Sequence, residues 1–232
     1  MAPKILDNDL KNYEFRLTPS KELSEQDLAA IHDLFDMNYR EANHDYLNQS
    51  FGTLRFTAMA FDDDTPIGFA LGDAVKTELP ELTGSHCVAL AGICCVSPLY
   101  RRQGLFSSLE MKSIEGGGIF KRGIQSLLCG RMAHPASFRL MRGFPSVVPK
   151  HGTPPTPWQR KVGLRVAELY GVVLDPETFV VQGKGSPIGY PKIEMNVSED
   201  EWLPFKPVNR DRGDSLLGIC WVPDAPPQSP KF

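Results

Sequence analysis

The sequence predicts a mixed α/β (α+β) fold, in which helices flank one central sheet and a C-terminal extension follows. Stretches of strand length alternate with stretches of helical spacing over residues 13–142, in the order β-α-β-β-β-α-β-α. An acidic turn at residues 62–65 joins two apolar stretches, as is typical of a β-hairpin. A basic loop that contains glycine joins a further apolar stretch to a helix. Together these observations favour one sheet-based domain.

The N-terminal elements follow from local spacing. Residues 13–18 are typical of a first strand. Ser24 and Asp27 have the spacing of a helix capping box, and the apolar residues after them predict a helix to about residue 41. Residues 43–49 continue this helix or form a second short one. The hairpin strands are predicted at residues 54–61 and 66–75, with a loop over residues 79–85 and a strand over residues 87–96.

The later elements are predicted in the same way. Residues 105–114 form a helix that ends before three glycines, and residues 124–129 form a strand. A short helix at residues 134–142 is capped by Gly143, and a helix at residues 158–170 stops at Gly171. Strand candidates at residues 178–181, 193–197 and 215–222 complete the same sheet. We therefore expect a single domain over residues 1–222, with a core at about 13–145, an elaboration at 146–222 and a disordered tail at 223–232.

Composition excludes several classes of function. The 232 residues carry a net charge of −3, and a pI near 6.0 argues against a surface that binds nucleic acid. No apolar stretch is long enough to cross a membrane, and residues 1–11 are too polar for a secretory signal, so we expect a cytoplasmic protein. The five cysteines lack a paired spacing and suit reduced thiols in the core. No Cys/His set has the spacing of a zinc site, so no metal is predicted.

The stretch from Val96 to Phe106 predicts an anion site. It follows a buried-looking strand and leads into a helix, whose first turn has backbone N–H groups without intrahelical partners. Gly104 allows a phosphate to approach the backbone, and Arg101 and Arg102 add fixed charge. The expected ligand is a polyphosphate. The alternative is an ordinary turn between a strand and a helix, with two solvated arginines.

Two motifs in this order resemble the GCN5-related N-acetyltransferase (GNAT) superfamily. Arg101-x-x-Gly104-x-Phe106 is similar to its Arg/Gln-x-x-Gly-x-Gly/Ala element, except that Phe106 replaces the usual Gly or Ala. Residues 133–144 resemble a later helix of the family that ends in Gly-Phe. The resemblance covers about residues 50–145. It implies a GNAT-like mixed, mostly antiparallel central sheet with a V-shaped opening for the pantetheine arm of acyl-coenzyme A.

The resemblance implies acetyl-CoA as a cosubstrate and assigns residues to it. Backbone groups of Cys94, Cys95 and Val96 would pair with the pantetheine amides as an added strand does. Many family members place a tyrosine at the position of Arg139, where it protonates the leaving thiolate. Here Arg139 would contact the cofactor and stabilise the thiolate, unless another group or a water supplies the proton. The pyrophosphate would face the loop and first-turn residues Arg102, Gln103, Gly104, Leu105, Phe106 and Ser107, with Arg101 beside them.

The base that deprotonates an amine acceptor is less clear from the sequence. Asp73 lies in a predicted strand and Glu41 at the polar end of a helix, and either carboxylate suits general base catalysis. His134 is a candidate base or acid, and His86 is more typical of a surface residue. The alternative for each is a solvated residue or a helix cap. Cys129 with His134 would offer a covalent route, which direct transfer does not need.

The sequence therefore predicts an acetyl-CoA-dependent N-acetyltransferase that acetylates the amine of a small molecule by direct attack. The net charge of −3 would suit a cationic amine. The alternative functions are a degenerate GNAT module that binds acyl-CoA or a protein partner without turnover, and another reaction on an acyl thioester. We expect a monomer or a homodimer.

Overall fold

A computed structural model describes residues 13–192 and 195–223 of the chain. Its strands and helices follow the predicted order in most places. The strands are β1 (Glu14–Pro19), β2 (Tyr39–Arg40), β3 (Phe56–Asp62), β4 (Thr65–Glu78), β5 (Ser85–Val96), β6 (Ser126–Met132), β7 (Leu174–Asp175), β8 (Val180–Val181), β9 (Tyr190–Pro191) and β10 (Ser215–Val222). The α-helices are α1 (Glu25–Asn38), α2 (His44–Thr53), α3 (Leu105–Glu115), α4 (Pro135–Arg142), α5 (Pro157–Tyr170) and α6 (Glu199–Trp202).

Eight strands form one mixed sheet in the order β1-β3-β4-β5-β6-β10-β8-β7. Every neighbouring pair in this sheet is antiparallel except β5 and β6, which are parallel. This confirms the predicted mixed, mostly antiparallel sheet, and β10 joins it between β6 and β8 as a completing strand. A separate pair, β2 and β9, joins the connection between α1 and α2 to the segment between β8 and β10.

Helices cover both faces of the sheet. On one face, Ala70 and Ala74 of β4 pack with α3, and a side chain at Gly218 of β10 would meet Met141 of α4. We call this the α3 face. Alternation places Leu127 of β6 on the opposite face, where it packs near α5. We call that the α5 face, and α1 packs on it against the apolar residues of β4 and β5.

A row of small residues crosses the middle of the sheet on the α3 face. Gly72, Ala91, Gly130 and Gly218 are register partners on β4, β5, β6 and β10 in turn. A Cβ at Gly72 would lie 2.2 Å from Ser113 Oγ of α3, so glycine is required for the helix to pack this close. At Gly130 the same Cβ would meet nothing closer than 3.8 Å. Neighbours thus fill the side-chain positions at Gly72 and Gly218, whereas Gly130 has room for a β-carbon.

Helix boundaries agree with local capping. Ser24 and Asp27 form the predicted capping box of α1, and Gly171 ends α5 in the left-handed conformation. α1 ends at Asn38, earlier than predicted, because Tyr39 adopts an extended conformation and pairs with Pro191 of β9. This pairing joins residues far apart in the chain, so the apolar spacing of α1 gives no indication of it.

The structure also corrects some strand predictions. β6 spans Ser126–Met132 rather than residues 124–129, and β8 is shorter than residues 178–181. The predicted strand at residues 193–197 is wrong over Met195–Val197, which lead without regular structure into Ser198, the N-cap of α6. Residues 193 and 194 of that prediction lie outside the described residues, as does most of the predicted tail, residues 224–232. Within the described ranges, no helix is long and apolar enough to cross a membrane.

Candidate functional site

The two parallel strands at the centre of the sheet, β5 and β6, separate near their carboxyl ends. β5 and β6 pair from Cys87 with Ser126 up to Ala91 with Gly130. Beyond this point β5 continues to Val96 and stays paired with β4, whereas β6 continues beside β10. A bulge in β5, where the register against β4 shifts, lies just after the last pair. The edge of β5 that faces β6 is therefore open over residues 92–96.

A cavity of about 1070 Å³ lies at this opening. Its lining includes Ser107 and Glu110 of α3 on one face of the sheet. It also includes Tyr39 and Tyr170 at the ends of α1 and α5 on the other face. Because one cavity touches both faces, the gap between β5 and β6 is a passage through the sheet. We call this cavity the cleft.

The loop between β5 and α3 is held in place by its outer side chains. The Tyr100 hydroxyl donates a hydrogen bond to Asp62 Oδ2 at 2.9 Å, and the Tyr13 hydroxyl donates to Gln103 Oε1 at 2.7 Å. Gly104, the N-cap of α3, has φ 81°, which favours glycine. No side chain caps this helix end, so its first N–H groups are available to a ligand in the cleft.

The structure brings part of the predicted cofactor set to the cleft. The predicted residues that line it are Cys94, Gly104, Phe106, Ser107 and Arg139. Those that do not line it are Cys95, Val96, Arg101, Arg102, Gln103 and Leu105. Cys94 and Cys95 point to opposite faces, as predicted, because Cys94 packs toward the α3 face and Cys95 lies in the core on the other face. The proposed cofactor contacts of Cys95 and Val96 involve only backbone atoms.

Two predicted cationic contacts have other partners. Arg101 donates to Asn38 Oδ1 at 3.0 Å and to the carbonyl of Lys192 at 3.2 Å, so it ties α1 to the residue after β9. Arg139 donates to both carboxylate oxygens of Glu201, at 2.6 and 2.9 Å, and to the carbonyl of Asn196. Its hydrogen bonds lower the pKa of Glu201 to about 2. The charge of Arg139 is thus already balanced by α6.

The geometry does not support Asp73 or His86 as the base. Asp73 is buried, receives hydrogen bonds from Nε and Nη2 of Arg55, and also accepts one from the N–H of Ala74. These partners occupy the carboxylate away from the cleft lining. His86 lies with its ring edge-on to that of Trp221, 6.2 Å between centroids, and also outside the lining.

Glu41 and His134 also lie outside the cleft lining. Glu41 is exposed in the connection between α1 and α2, with φ 51°. His134 is the N-cap of α4, where its Nδ1 accepts a hydrogen bond from the N–H of Ala136 at 3.2 Å. Burial lowers the pKa of His134, and the nearby charges of Arg210 and Arg139 lower it further. The neutral imidazole of His134 therefore caps α4. A helix cap was the structural alternative for this residue in the sequence analysis.

A carboxyl group that does line the cleft is that of Glu110 of α3, which sequence reasoning missed. It is 9% exposed, and burial raises the pKa of its carboxyl to about 8. Its charge would also raise the pKa of Cys94 and of Tyr170, so these groups lie near one another. A signal was available: Phe106, Glu110 and Ile114 are spaced by four residues, which places an acid in an apolar helical stripe.

The α5 face of the cleft is enclosed by the segment between β8 and β10. The N–H and side-chain amide of Asn43 donate to the carbonyls of Ile188 and Pro187, at 3.1 and 3.0 Å. Together with the β2–β9 pair, these bonds fasten the α1–α2 connection to that segment. The two connections form a roof over this side of the cleft. Tyr39 and Ile188 face the enclosed space from opposite sides.

No protein-family model and no curated protein matches the sequence. Solved structures do match it. The ribosomal-protein-S18-alanine N-acetyltransferase from Escherichia coli is 12% identical, with 94% of this chain and 100% of that chain covered and a TM-score of 0.42. The NatC complex bound to Gag peptide and CoA is 20% identical, covering 56% and 82%, with a TM-score of 0.37. A putative acetyltransferase of the GNAT family from Desulfovibrio desulfuricans is 15% identical, covering 58% and 86%, with a TM-score of 0.41.

The topology decides the class of fold. A mostly antiparallel sheet contains one parallel pair, this pair opens into a V, and the first of its strands leads through a glycine loop into a helix. The fold is GNAT-like. The chemistry of the GNAT-like cleft depends on the residues that line it.

A phenol does reach the apex of the GNAT-like cleft, although none stands at Arg139. Tyr170, the last residue of α5, lies with its hydroxyl 2.8 Å from the carbonyl of Ala91 and 3.1 Å from that of Cys129. These two carbonyls belong to the positions where β5 and β6 separate. Burial raises the pKa of Tyr170 well above its usual value. This contact joins the end of α5 to the sheet across a long sequence distance, which local spacing does not predict.

The cysteines of the GNAT-like cleft are poor nucleophiles. None of the five cysteines, all of which lie in the described part, forms a disulfide. Burial raises the pKa of Cys94 and of Cys129 well above the usual value, so both thiols stay protonated near neutral pH. This disfavours the covalent route through Cys129. In residues 13–192 and 195–223, no group of three or more His, Cys, Asp or Glu side chains is placed to hold a metal ion.

Proposed function

We propose that this chain is an acyltransferase that transfers an acetyl group from acetyl-CoA to an amine of a small molecule by direct attack. One observation carries the proposal: β5 and β6 stop pairing after Ala91 and Gly130, and a cavity of about 1070 Å³ joins the two faces through the gap. A passage through a sheet lets a thioester enter from one face and an acceptor from the other. The working unit is the single domain of residues 1–222, as a monomer or a homodimer in the cytoplasm.

The α3 face suits acetyl-CoA. The open edge of β5 offers backbone groups to the amides of pantetheine, which can pair there as an added strand does. Gly104 and the N-terminus of α3 face the position of the pyrophosphate. The small residues Ala91 and Gly130 leave room at the apex for the acyl group. Phe106, the departure from the family pattern, lines the cleft without blocking these backbone groups.

Glu110 is our candidate for proton transfer. A pKa of about 8 places its carboxyl in the range where both protonation states are accessible near neutral pH. The carboxylate takes a proton from the attacking amine, a C–N bond forms, and the C–S bond of the thioester breaks. The carboxylic acid then returns the proton to the leaving thiolate, so one group serves both steps. Tyr170 acts as a positioning residue, because its hydroxyl holds the two carbonyls at the apex.

A second candidate function is a module that binds acyl-CoA without turnover. It is favoured by Arg139, which stands where many relatives carry the acid and is balanced by Glu201. A binder would be stabilised by acetyl-CoA but would release no thiol with any amine.

Two measurements test both candidate functions. The first is thermal unfolding with and without acetyl-CoA, and the second is thiol release from acetyl-CoA with a panel of amines. A ligand that binds only the folded chain stabilises it by a free energy that grows with the logarithm of the ligand concentration, about 2.7 kcal/mol at one hundred times Kd, and the melting temperature rises accordingly. ATP is the control for nonspecific phosphate binding, and desulfo-CoA shows how much of the shift comes from the pantetheine and nucleotide parts without the thioester. We expect a shift with acetyl-CoA and thiol release with at least one amine. A shift without release would leave the binding module, and no shift would refute the acyl-CoA site.

A further inference from the structure

Three cations line the roofed side of the cleft without a carboxylate partner among the described residues. They are Arg131 of β6, and Lys184 and Arg210 of the segment between β8 and β10. Arg210 packs over the rings of Tyr190 and Trp202, 6.0 Å from each centroid. Lys184 is exposed. None of the three forms an ion pair with a described residue, whereas Arg122 and Arg139, which also line the cleft, pair with Glu115 and Glu201.

The other charges of the cleft are balanced or neutral. Asp214, an acid in the cleft lining, is buried against Arg212, which donates to both of its carboxylate oxygens at 2.8 and 2.6 Å. Arg139 is paired with Glu201. Glu110, with a pKa of about 8, is mostly neutral at pH 7. The lining therefore holds three cations without an ion-pair partner among the described residues, while Asp211, which accepts a hydrogen bond from Tyr190, follows Arg210 outside the lining.

Arg131 is the cation best placed to meet an acceptor. It follows Gly130, the last residue of β6 that pairs with β5, and alternation puts it on the α5 face beside the apex. Its side chain is half-buried, and its one hydrogen bond to a described residue runs from Nε to Ser215 Oγ at a long 3.4 Å. Its Nη groups have no hydrogen-bond partner in residues 13–192 and 195–223, and the residue lines the cleft. A half-buried guanidinium without an anion is costly, and its fork matches a carboxylate.

Resting on the proposed function, we infer that the acceptor amine carries a carboxylate, which Arg131 binds, with Lys184 and Arg210 flanking the entry. The anchor lies one residue beyond the apex, or about 3.3 Å along the strand. This separation suits a compact amino acid, whose amine and carboxylate are a few bonds apart. The unpaired cations would repel a polyamine. A protein tail presents amines without the required carboxylate.

The test compares matched acceptors that differ only in that group. Purified full-length chain is given acetyl-CoA with amino acids and with their primary amides, such as alanine and alaninamide, and thiol release is followed. We expect kcat/KM to be at least about tenfold higher for the acids. Arg131→Gln should lower kcat/KM for the acids by about 10- to 100-fold, toward that of the amides, as expected for loss of a charge-assisted contact. Arg131→Lys, which keeps the charge, should retain part of the preference.

Arg165→Gln is the matched control, because Arg165 lies on α5 outside the cleft and pairs with Glu168. It should change neither rate. The shift in melting temperature with acetyl-CoA should be equal in wild type and Arg131→Gln, which shows that the variant folds and binds the thioester. Equal rates with acids and amides in the wild type, or an equal loss of both in Arg131→Gln, would overturn the carboxylate anchor alone. No shift with acetyl-CoA in the wild type would overturn the proposed function and this inference with it.

Discussion

At the scale of single residues, the chemistry of this protein depends on side chains whose surroundings the sequence does not show. Asp73, one of the candidate bases from the sequence, is paired with Arg55. Glu110 sits in the cleft without such a cation, and burial alone raises its pKa. Residue type and helical spacing indicate that Glu110 is unusual, but only the arrangement of the chain in space decides which carboxyl meets a guanidinium.

The raised pKa of Glu110 predicts a pH-dependent stability. The folded chain holds this proton up to about pH 8, whereas the ordinary value for a glutamate is 4.5. The stability from this group is complete below pH 4.5 and is lost as the pH rises through 8. Relative to wild type, Glu110→Gln should therefore gain stability over this window, by at most about 1.4 kcal/mol per pH unit. Urea unfolding at pH 4.5, 6 and 8 measures it, and a constant difference would contradict the raised pKa.

Glu110→Gln should also lower kcat, because a glutamine cannot move the proton. We expect a loss of about 10²- to 10⁴-fold in thiol release, with the stabilisation by acetyl-CoA retained. Glu115→Gln is the matched control on the same helix, since Glu115 pairs with Arg122 rather than facing the apex. If both variants kept wild-type kcat, proton transfer would have to be assigned elsewhere.

At the scale of elements, the loop and helix after β5 were predictable because their signals are local. Glycine, proline and capping residues act within a few positions, so Gly104, Ser24 and Gly171 mark their helix ends correctly. β9 and the end of α1 were missed, because each exists through pairing with a distant partner. The same reason explains why the contact of Tyr170 at the apex was missed.

The loop assignment predicts the effect of a methyl group at Gly104. Its φ of 81° makes any β-carbon strained, and the added group would also stand beside the first N–H groups of α3. Gly104→Ala should weaken acetyl-CoA binding by tenfold or more, about 1.4 kcal/mol. Gly118→Ala has a similar φ of 66° but lies in open space outside the cleft, so it should lose a similar amount of stability and keep its affinity. Calorimetric titration of both separates strain from binding, and equal affinities would contradict the phosphate loop.

We expect that removing the Tyr170 hydroxyl lowers the stability of the fold, because this group bonds to carbonyls where β5 and β6 separate. In Tyr170→Phe, the carbonyls of Ala91 and Cys129 lose a buried donor, and we expect the free energy of unfolding to fall by about 1–2 kcal/mol. Tyr190→Phe removes a hydroxyl that donates to Asp211 on the surface, and should cost less than about 0.5 kcal/mol. Chemical denaturation compares the two. Equal costs would show that the apex contact contributes little.

At the scale of the whole molecule, the last strand belongs to the middle of the sheet. β10 pairs with β6 over seven positions, from Leu216 with Met132 to Val222 with Ser126. A chain that stops at residue 214 would expose the edge of β6 and lose this buried strand, so we expect it not to fold. A chain that stops at residue 223 should unfold in one transition with the melting temperature of the full chain. Circular dichroism and calorimetry check both, and a folded 1–214 chain would show that the fold does not require β10.

Charge also has to be considered at two scales. The net charge of −3 suited a cationic amine, yet the roofed wall of the cleft presents Arg131, Lys184 and Arg210. The net charge is a sum over all charged residues, and most of these lie on the solvated surface. The field that a ligand meets depends on which few charges remain unbalanced in a desolvated space. Composition could exclude a nucleic-acid surface, but it could not give the sign of this wall.

The row of small residues across the sheet has a consequence for which thioesters the protein can use. At the apex, where β5 and β6 separate, Ala91 and Gly130 line the cleft with little or no side chain. Gly72 is fixed by the contact with α3, whereas Gly130 has ordinary clearance, with no neighbour closer than 3.8 Å. A residue one or two carbons larger at Gly130 would satisfy the fold and still shorten the pocket. Under the proposed function, we therefore expect a side chain at Gly130 to restrict the length of the acyl chain with little cost in stability.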